Sequence, residues 1–475
     1  MTTAPVDVGA DARIDGAAST GFGDEPQPRR HLVFVIVAMA LVMAAVDSTI
    51  VATALSSIQK DLHAQVNWSS WTITIYALGQ VVMMPLAGRM SDMFGRKRIF
   101  VAAGVLFTLA SLCCGLATNI YMLVVLRAVQ ALGGGAFMPS ATGIVAEQYG
   151  RERDRAVGMF TSIFPIGGIV GPILGGVFVA YLDWRWIFFV NVPVGILMIA
   201  MSLRFIPSTS SRAPGRVDGV GIALFGATIF SAMLGISFLG SGSVEVWDAK
   251  FLVPEIAALV AATFFVRHAR VSSAPFIPIN LLVGKGFGTM NLINLLFGSA
   301  AIGFGALVPL YAQYRFGISE LDAGTLLTTR AAGTIAVAGL AVSVLRRTGY
   351  RLPMMGGFAI VAVGMVLMDL TPSGISHYMW LGLSAGITGI GMGLAMPASN
   401  NATLHMAEGQ LAAVAGLRGM FRQSGAILAV SIASAIVARS SQAGSTLGIV
   451  FVVFAAMLVL TVPLTLLVPE RRGRW

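Results

Sequence analysis

Apolar and polar residues along this chain are segregated on a long scale. After a polar stretch holding Asp7, Asp11, Asp15, Asp24 and Glu25, apolar residues dominate in runs of about 20, separated by short polar loops. A helix needs roughly 20 mostly apolar residues to cross a bilayer core, and it pairs its own backbone polar groups, as lipid requires. Fourteen runs meet that requirement: 32–58, 69–88, 99–117, 120–148, 155–182, 186–206, 217–240, 250–267, 286–314, 318–345, 352–370, 377–404, 411–438 and 445–468. The pattern predicts an all-α membrane protein of 14 transmembrane helices.

Charge placement orients the spans. An even number puts both ends on one side, and lysine and arginine concentrate in cytoplasmic loops. With the amino terminus inside, 22 of the 31 lysines and arginines fall on the cytoplasmic side, five outside and four (Arg127, Arg330, Arg418 and Arg422) within spans. Trp68, Trp71, Trp184 and Trp186 then stand at the outer interface, where indole rings settle. Both termini are therefore expected in the cytoplasm. The first run is too long for the apolar region of a signal peptide, and no small-residue cleavage site follows it. Residues 1–30 are expected to be a disordered tail.

Composition supports a lipid environment: 56% of the residues are hydrophobic and 11% charged, against about 25% charged in a soluble domain. The net charge of +10 follows from the inside loops, so no nucleic-acid partner is expected. Cys113 and Cys114 are adjacent and are expected to be reduced thiols.

A weak internal repeat divides the chain. SDMFGRKRIF follows the second run and LRRTGYRLPM the tenth, and aligning Gly95 with Gly349 gives an offset of 254 residues. The first and ninth runs begin about that far apart, and the same offset maps Gly171 onto Gly425. This suggests an N-terminal six-helix bundle over 31–208, two linker helices over 209–285, a C-terminal six-helix bundle over 286–468 and a tail over 469–475. Transporters built from repeats bind substrate near the bilayer midplane, where the repeats meet.

Four stretches carry candidate chemistry. GRMSDMFGRKR, Gly88 to Arg98, fills a cytoplasmic loop. Its spacing suggests a conformational latch made by Gly88, Asp92, Gly95, Arg96 and Lys97 rather than a merely basic loop. LRAVQALGGG places Arg127 within the fourth span with Gln130 on nearly the same face. An arginine there is costly unless paired or hydrated, so it marks either a functional site or a structural contact to carbonyls. VDSTIVATAL places Asp47 deep in the first span. Asp47 is either a titrating group beside Arg127 or half of a permanent ion pair. GGIVGPILGG contains two ridges spaced by four, Gly167–Gly171–Gly175 and Gly168–Pro172–Gly176. Such ridges let a second helix approach closely in lipid, and Pro172 removes one backbone donor, predicting a kink or hinge. Arg330, Asn400, Asn401, Arg418 and Arg422 are further candidates for a substrate cavity. For the two asparagines, hydrogen bonding between helices is the alternative.

Together these stretches resemble the major facilitator superfamily, specifically its fourteen-helix drug:proton antiporter family. GRMSDMFGRKR is similar to the superfamily's hallmark loop, with Met93 in place of the usual arginine. RAVQALGGG resembles its fourth-span motif, with Ala131 in place of a glycine. GGIVGPILGG matches the antiporter motif G-x-x-x-G-P-x-x-G-G, and DWRWIFFVNVPVG resembles a sixth-span signature of the fourteen-helix group. DSTIVATAL resembles the first-span pattern, with Ala52 and Ser56 replacing an asparagine and a proline. GLRGMFRQSGAI, Gly416 to Ile427, fits the thirteenth span.

The resemblance implies a multidrug efflux transporter in which Asp47 and Arg127 couple protons to export and GGIVGPILGG serves as a packing hinge of exporters. It implies a monomeric protein of a bacterial cell membrane, driven by the proton gradient without a cofactor or metal, moving amphipathic drugs or toxic small molecules and contributing to antibiotic resistance. A dedicated endogenous cargo, such as a lipid, siderophore or self-made antibiotic, is the alternative. A membrane-embedded enzyme is disfavoured: the five histidines are scattered and there is no H-E-x-x-H cluster. A nucleotide-driven pump is disfavoured because no G-x-x-x-x-G-K-[ST] loop occurs.

Overall fold

The computed structural model describes residues 29–161, 163–208, 218–241, 243–284, 286–370, 372–406, 410–468 and 470. The regular structure among them is helical throughout. The expected tails over 1–30 and 469–475 lie outside the described residues except for Arg29, Arg30 and Glu470.

Eight helices form the first set. They are α1 (Arg30–Asp61), α2 (Val66–Phe94), α3 (Arg96–Gly115), α4 (Ile120–Tyr149), α5 (Arg153–Thr161), α6 (Phe164–Tyr181), α7 (Trp186–Phe189) and α8 (Asn191–Phe205). Helices α5 and α6 share the fifth span, and α7 and α8 the sixth. Next come α9 (Gly219–Leu239), α10 (Ala249–Val271) and the short α11 (Ile279–Val283). The second set begins with α12 (Phe287–Phe297), a π-helical segment (Gly298–Gly303) and α13 (Phe304–Phe316), which together make the ninth span. It continues with α14 (Glu320–Thr348), α15 (Arg351–Asp369), α16 (His377–Leu404), α17 (Leu411–Ala438) and α18 (Ala443–Thr465).

Among the described residues, thirteen segments have the length and apolar composition to cross a bilayer. Helix α14, whose threonines and Arg330 lower its hydropathy, packs along α16 and supplies the fourteenth. Local sequence sets several boundaries. The side chains of Asn119, Asp218 and Ser376 accept hydrogen bonds from exposed N–H groups at the starts of α4, α9 and α16. Gly95 and Gly349 end α2 and α14 with φ of 100° and 78°, a backbone region in which a Cβ is strained. They are the pair aligned by the 254-residue offset.

Each set has its own apolar core. The first core also takes in Val414, Leu417 and Met420 of α17, and Phe225, Met233 and Phe265 of α9 and α10. Helices α9 and α10 pack on each other, and α9 lies against both α2 and α17. The inserted pair thus touches both sets. The two sets meet where α17 crosses α2 and α4, and where α14 and α16 meet α5 and α6.

One expectation is corrected. GRMSDMFGRKR is not a loop: α2 stays helical to Phe94, Gly95 makes the turn, and α3 starts at Arg96. The polar residues mark where the chain leaves the apolar layer, not where the helix ends. Helix α6 runs through Pro172 as a continuous helix from Phe164 to Tyr181. Pro165 sits in the first turn of α6, where a missing N–H costs nothing.

Candidate functional site

The deepest charges in the first set form one cluster. Asp47 on α1 is 0% exposed and Arg127 on α4 is 1% exposed. Asp47 Oδ2 accepts from Arg127 Nη1 at 2.6 Å. Asp47 Oδ1 accepts from Gln130 Nε2 at 2.9 Å and from Asn191 Nδ2, on α8, at 3.1 Å. Gln130 Oε1 in turn accepts from Arg127 Nη1 at 2.6 Å, and Gln130 Nε2 donates to Ser111 Oγ on α3 at 2.6 Å. Arg127 Nε donates to the Thr72 carbonyl on α2 at 3.1 Å. The guanidinium lies over the Tyr76 ring, 3.9 Å from its centroid. Five helices therefore converge on one carboxylate, which accepts hydrogen bonds from three side-chain donors. Such a pair is stable while both charges are present; removing one partner of a buried pair costs about 3–5 kcal/mol.

A cavity of about 290 Å³ lies between the two sets, walled by α1, α2, α4 and α6 on one side and by α13, α14, α16 and α17 on the other. Ala44, Ala45 and Thr49 of α1 line it, whereas Asp47, on the same turn, faces the buried cluster. Arg330 and Arg422 also line the cavity. Arg330 Nη2 donates to the Ala301 carbonyl in the π-helical segment and to Met392 Sδ. At the 254-residue offset, Ala301 corresponds to Asp47 and Arg330 to Tyr76. The second set thus sets an arginine against a backbone carbonyl where the first set holds its carboxylate.

The other expected cavity residues lie elsewhere. Gln130 belongs to the Asp47 cluster. Asn400 Nδ2 donates to Thr161 Oγ1 at 2.7 Å, and Asn401 Nδ2 to the Asp154 carbonyl at 3.2 Å. Both bonds join α16 to α5 across the interface, the interhelical role that was the alternative for these residues. Arg418 is buried one turn before Arg422 and does not line the cavity.

At the face carrying both chain ends, several contacts join the two sets. Asp92 Oδ2 accepts from Ala413 N–H at 2.9 Å, one of the unpaired donors in the first turn of α17. A Cβ on Gly88 would lie 2.3 Å from the Ala412 carbonyl oxygen, so the close crossing of α2 and α17 requires glycine there. Arg96 Nη1 donates to the Gly143 carbonyl at 2.6 Å and reaches Glu147 at 3.4 Å. Lys97 Nζ donates to the Leu203 carbonyl at 2.8 Å. Asp154 adds a further tie, with both its carboxylate oxygens within 3.0 Å of His405 Nε2. Gly88 and Asp92 reach the opposite set, while the described bonds of Arg96 and Lys97 lie within the first.

One of the two glycine ridges packs against another helix. Added Cβ atoms on Gly167, Gly171 and Gly175 would collide with Ala45, Thr49 and Thr53 of α1, while Gly168 and Gly176 have nothing within 4 Å. Thr49 Oγ1 donates to the Gly167 carbonyl at 3.1 Å, binding the two helices. Gly168 lines the cavity instead. Gly425, at the offset from Gly171, makes the equivalent crossing, where its Cβ would lie 2.1 Å from the Leu295 carbonyl oxygen.

Sequence reasoning missed Asn191, Ser111, Thr72 and Tyr76. Asn191 had a signal: it is the one amide in the apolar part of DWRWIFFVNVPVG. No pattern pointed to the Thr72 carbonyl, because any residue carries one.

Comparison with known proteins places this architecture. Residues 37–304 and 290–475 match the Major Facilitator Superfamily family model. The multidrug transporter protein MdtP of Bacillus subtilis is 28% identical over 418 residues, covering 87% of this chain and 76% of the relative. The uncharacterized MFS-type transporter Rv1877 of Mycobacterium tuberculosis is 31% identical over 366 residues, covering 76% of this chain. The matched region is about half of that relative, 53% of its length. The crystal structure of the human organic anion transporter MFSD10 (TETRAN) superposes with a TM-score of 0.67 over 92% of this chain and 100% of that one, at 14% identity, a likeness of fold. The chain belongs to the major facilitator superfamily and is a multi-pass membrane transporter.

Proposed function

We propose that this protein exports amphipathic small molecules by alternating access, in exchange for protons, with the face that carries both chain ends in the cytoplasm. The observation that carries this reading is the position of Asp47: a fully buried carboxylate on the helix that also walls the central cavity. Protonating Asp47 would remove the charge that balances Arg127 and leave a guanidinium buried without its partner, which is costly. The helices around it would then favour an arrangement that hydrates or re-pairs Arg127. A proton thereby prefers one state and the cargo the other, which is what coupling requires. In this arrangement the ties of Asp92 and Asp154 are made, so the cytoplasmic side is read as closed.

Export rather than import is supported by the names of relatives such as the multidrug transporter protein of Bacillus subtilis and by the resemblance of GGIVGPILGG to the antiporter motif. The transporter works in a cell membrane as a monomer without a cofactor. A carrier for one endogenous cargo is the second reading, favoured by the single sign of charge that lines the cavity.

The test is uptake of a fluorescent amphiphile panel into proteoliposomes with an imposed inside-acidic gradient. The account expects accumulation that stops when nigericin collapses the gradient. Uptake indifferent to the gradient would refute proton coupling.

A further inference from the structure

The central cavity carries charge of one sign. Arg330 and Arg422 line it together with apolar residues, amides and threonines, and its described lining includes no aspartate, glutamate, lysine or histidine. Counted from the helix starts, Arg330 is ten residues into α14 and Arg422 eleven into α17, which begin on opposite faces of the bundle. At about 1.5 Å per residue each lies ~15–17 Å deep, near the middle of a core roughly 30 Å thick.

These guanidinium groups are under-partnered. Arg422 is 7% exposed, and its hydrogen-bond contact is the weak acceptor Met138 Sδ at 3.7 Å. Arg330 Nε is buried without a hydrogen-bond partner, as are Nε and Nη2 of Arg418 one turn from Arg422. None of the three forms an ion pair with a described carboxylate. The first set shows the contrast: Arg127 has a carboxylate, an amide, a carbonyl and an aromatic ring around it.

A buried charge is costly unless paired and hydrogen-bonded. A guanidinium matches a carboxylate or similar oxyanion with parallel, charge-assisted bonds. An organic cation in the same place would meet two like charges. Facing these arginines, Met84 and Met138 of the first set and Met392 and Met396 of the second line the cavity. Methionine adapts to apolar bodies of different shape.

We infer that the cavity selects amphipathic organic anions: one carboxylate-like group engages Arg330 and Arg422, and the apolar body lies along the methionine wall. This deepens the exporter reading and depends on it only for the word cargo. Binding needs no proton gradient, so loss of binding preference and loss of proton coupling are separate failures.

Three dansyl probes sharing an eleven-carbon chain test the inference with purified full-length protein in phosphatidylcholine nanodiscs: 11-(dansylamino)undecanoic acid, its methyl ester and N-dansyl-1,11-diaminoundecane. The carboxylate is expected to bind about tenfold or more tightly than the ester or the amine, the size of one charge-assisted hydrogen bond. Arg422→Gln and Arg330→Gln should each remove about tenfold of that affinity. Gln423→Glu, which sets an isosteric carboxylate beside Arg422 in the lining, should weaken the acid and strengthen the amine. This gain keeps the test decisive if the arginine variants misfold. Phosphatidylglycerol in the nanodiscs separates two sources of the anion: competition with the acid assigns the site to a lipid headgroup, and no competition to a free amphiphile. Equal binding of all three probes would overturn the inference. So would unchanged acid binding in a folded Arg330→Gln/Arg422→Gln protein.

Discussion

Gly171 offers a sharp test of how α6 is held against α1. In Gly171→Ala the new Cβ would lie 2.0 Å from Thr49 Oγ1, 3.0 Å from the Val46 carbonyl oxygen and 3.1 Å from Thr49 Cβ. Ordinary carbon contacts are about 3.5 Å or longer, so Thr49 or the helices must give by roughly 1.5 Å. Thr49 has little freedom, since its Oγ1 bonds Gly167 across the interface and Val46 on its own helix, both at 3.1 Å. Overpacking of this kind costs about 1–3 kcal/mol. Thr49→Ala alone removes the interhelical hydrogen bond, at about 1 kcal/mol. In the double variant Thr49 Oγ1 is gone, and the nearest remaining contacts, at 3.0 and 3.1 Å, need only a few tenths of an ångström. The two substitutions should therefore be non-additive, with the double variant more stable than the sum of single costs by about 1–2 kcal/mol. Denaturant titration of wild type, both single variants and the double variant in mild detergent measures this. Gly168→Ala, with nothing within 4 Å, is the control and should be near neutral. Strictly additive penalties, or a Gly168→Ala cost equal to that of Gly171→Ala, would refute close packing of this ridge.

Two further predictions concern the ties at the face carrying both chain ends and the inserted helices. Asp92→Asn weakens the acceptor for Ala413 N–H at the start of α17; by about 1 kcal/mol it should shift the carrier toward states open at this face, read as faster labelling of a cysteine placed at Met396. Labelling at the wild-type rate would count against the latch. Asp218 caps α9, with bonds from Gly221 N–H at 2.8 Å, Phe276 N–H at 3.0 Å and His268 Nε2 at 2.7 Å. Burial pushes its carboxyl up, but these donors outweigh it and hold the group below the usual carboxylate range. Its folded-state pKa is thus depressed, so its contribution is present above the unfolded value, about 3.9, and lost as pH falls through the lower folded value. Melting of the wild type should drop more steeply below about pH 4 than that of Asp218→Asn; identical pH profiles would exclude this link.

Much of the fold was legible because lipid imposes a simple rule of length. Runs of about 20 apolar residues became helices, and the matching glycines Gly95 and Gly349 became matching turns. Hydropathy reads depth rather than backbone conformation, which is why GRMSDMFGRKR looked like a loop and is mostly helix. The pairing of Asp47 with Arg127 was readable from the rarity of deep charges. The partners Asn191 and Ser111, and the engagement of Asn400 and Asn401 across the interface, depend on which helices meet. A single polar residue in an apolar run does not specify that.

The central claim is that Asp47 carries the proton that is exchanged for cargo. Its most direct test is proton movement in proteoliposomes holding an internal pH dye, on addition of a transported amphiphile. Wild type should move protons and Asp47→Asn, though folded and able to bind the amphiphile, should not. Proton movement by Asp47→Asn at the wild-type rate would contradict the account.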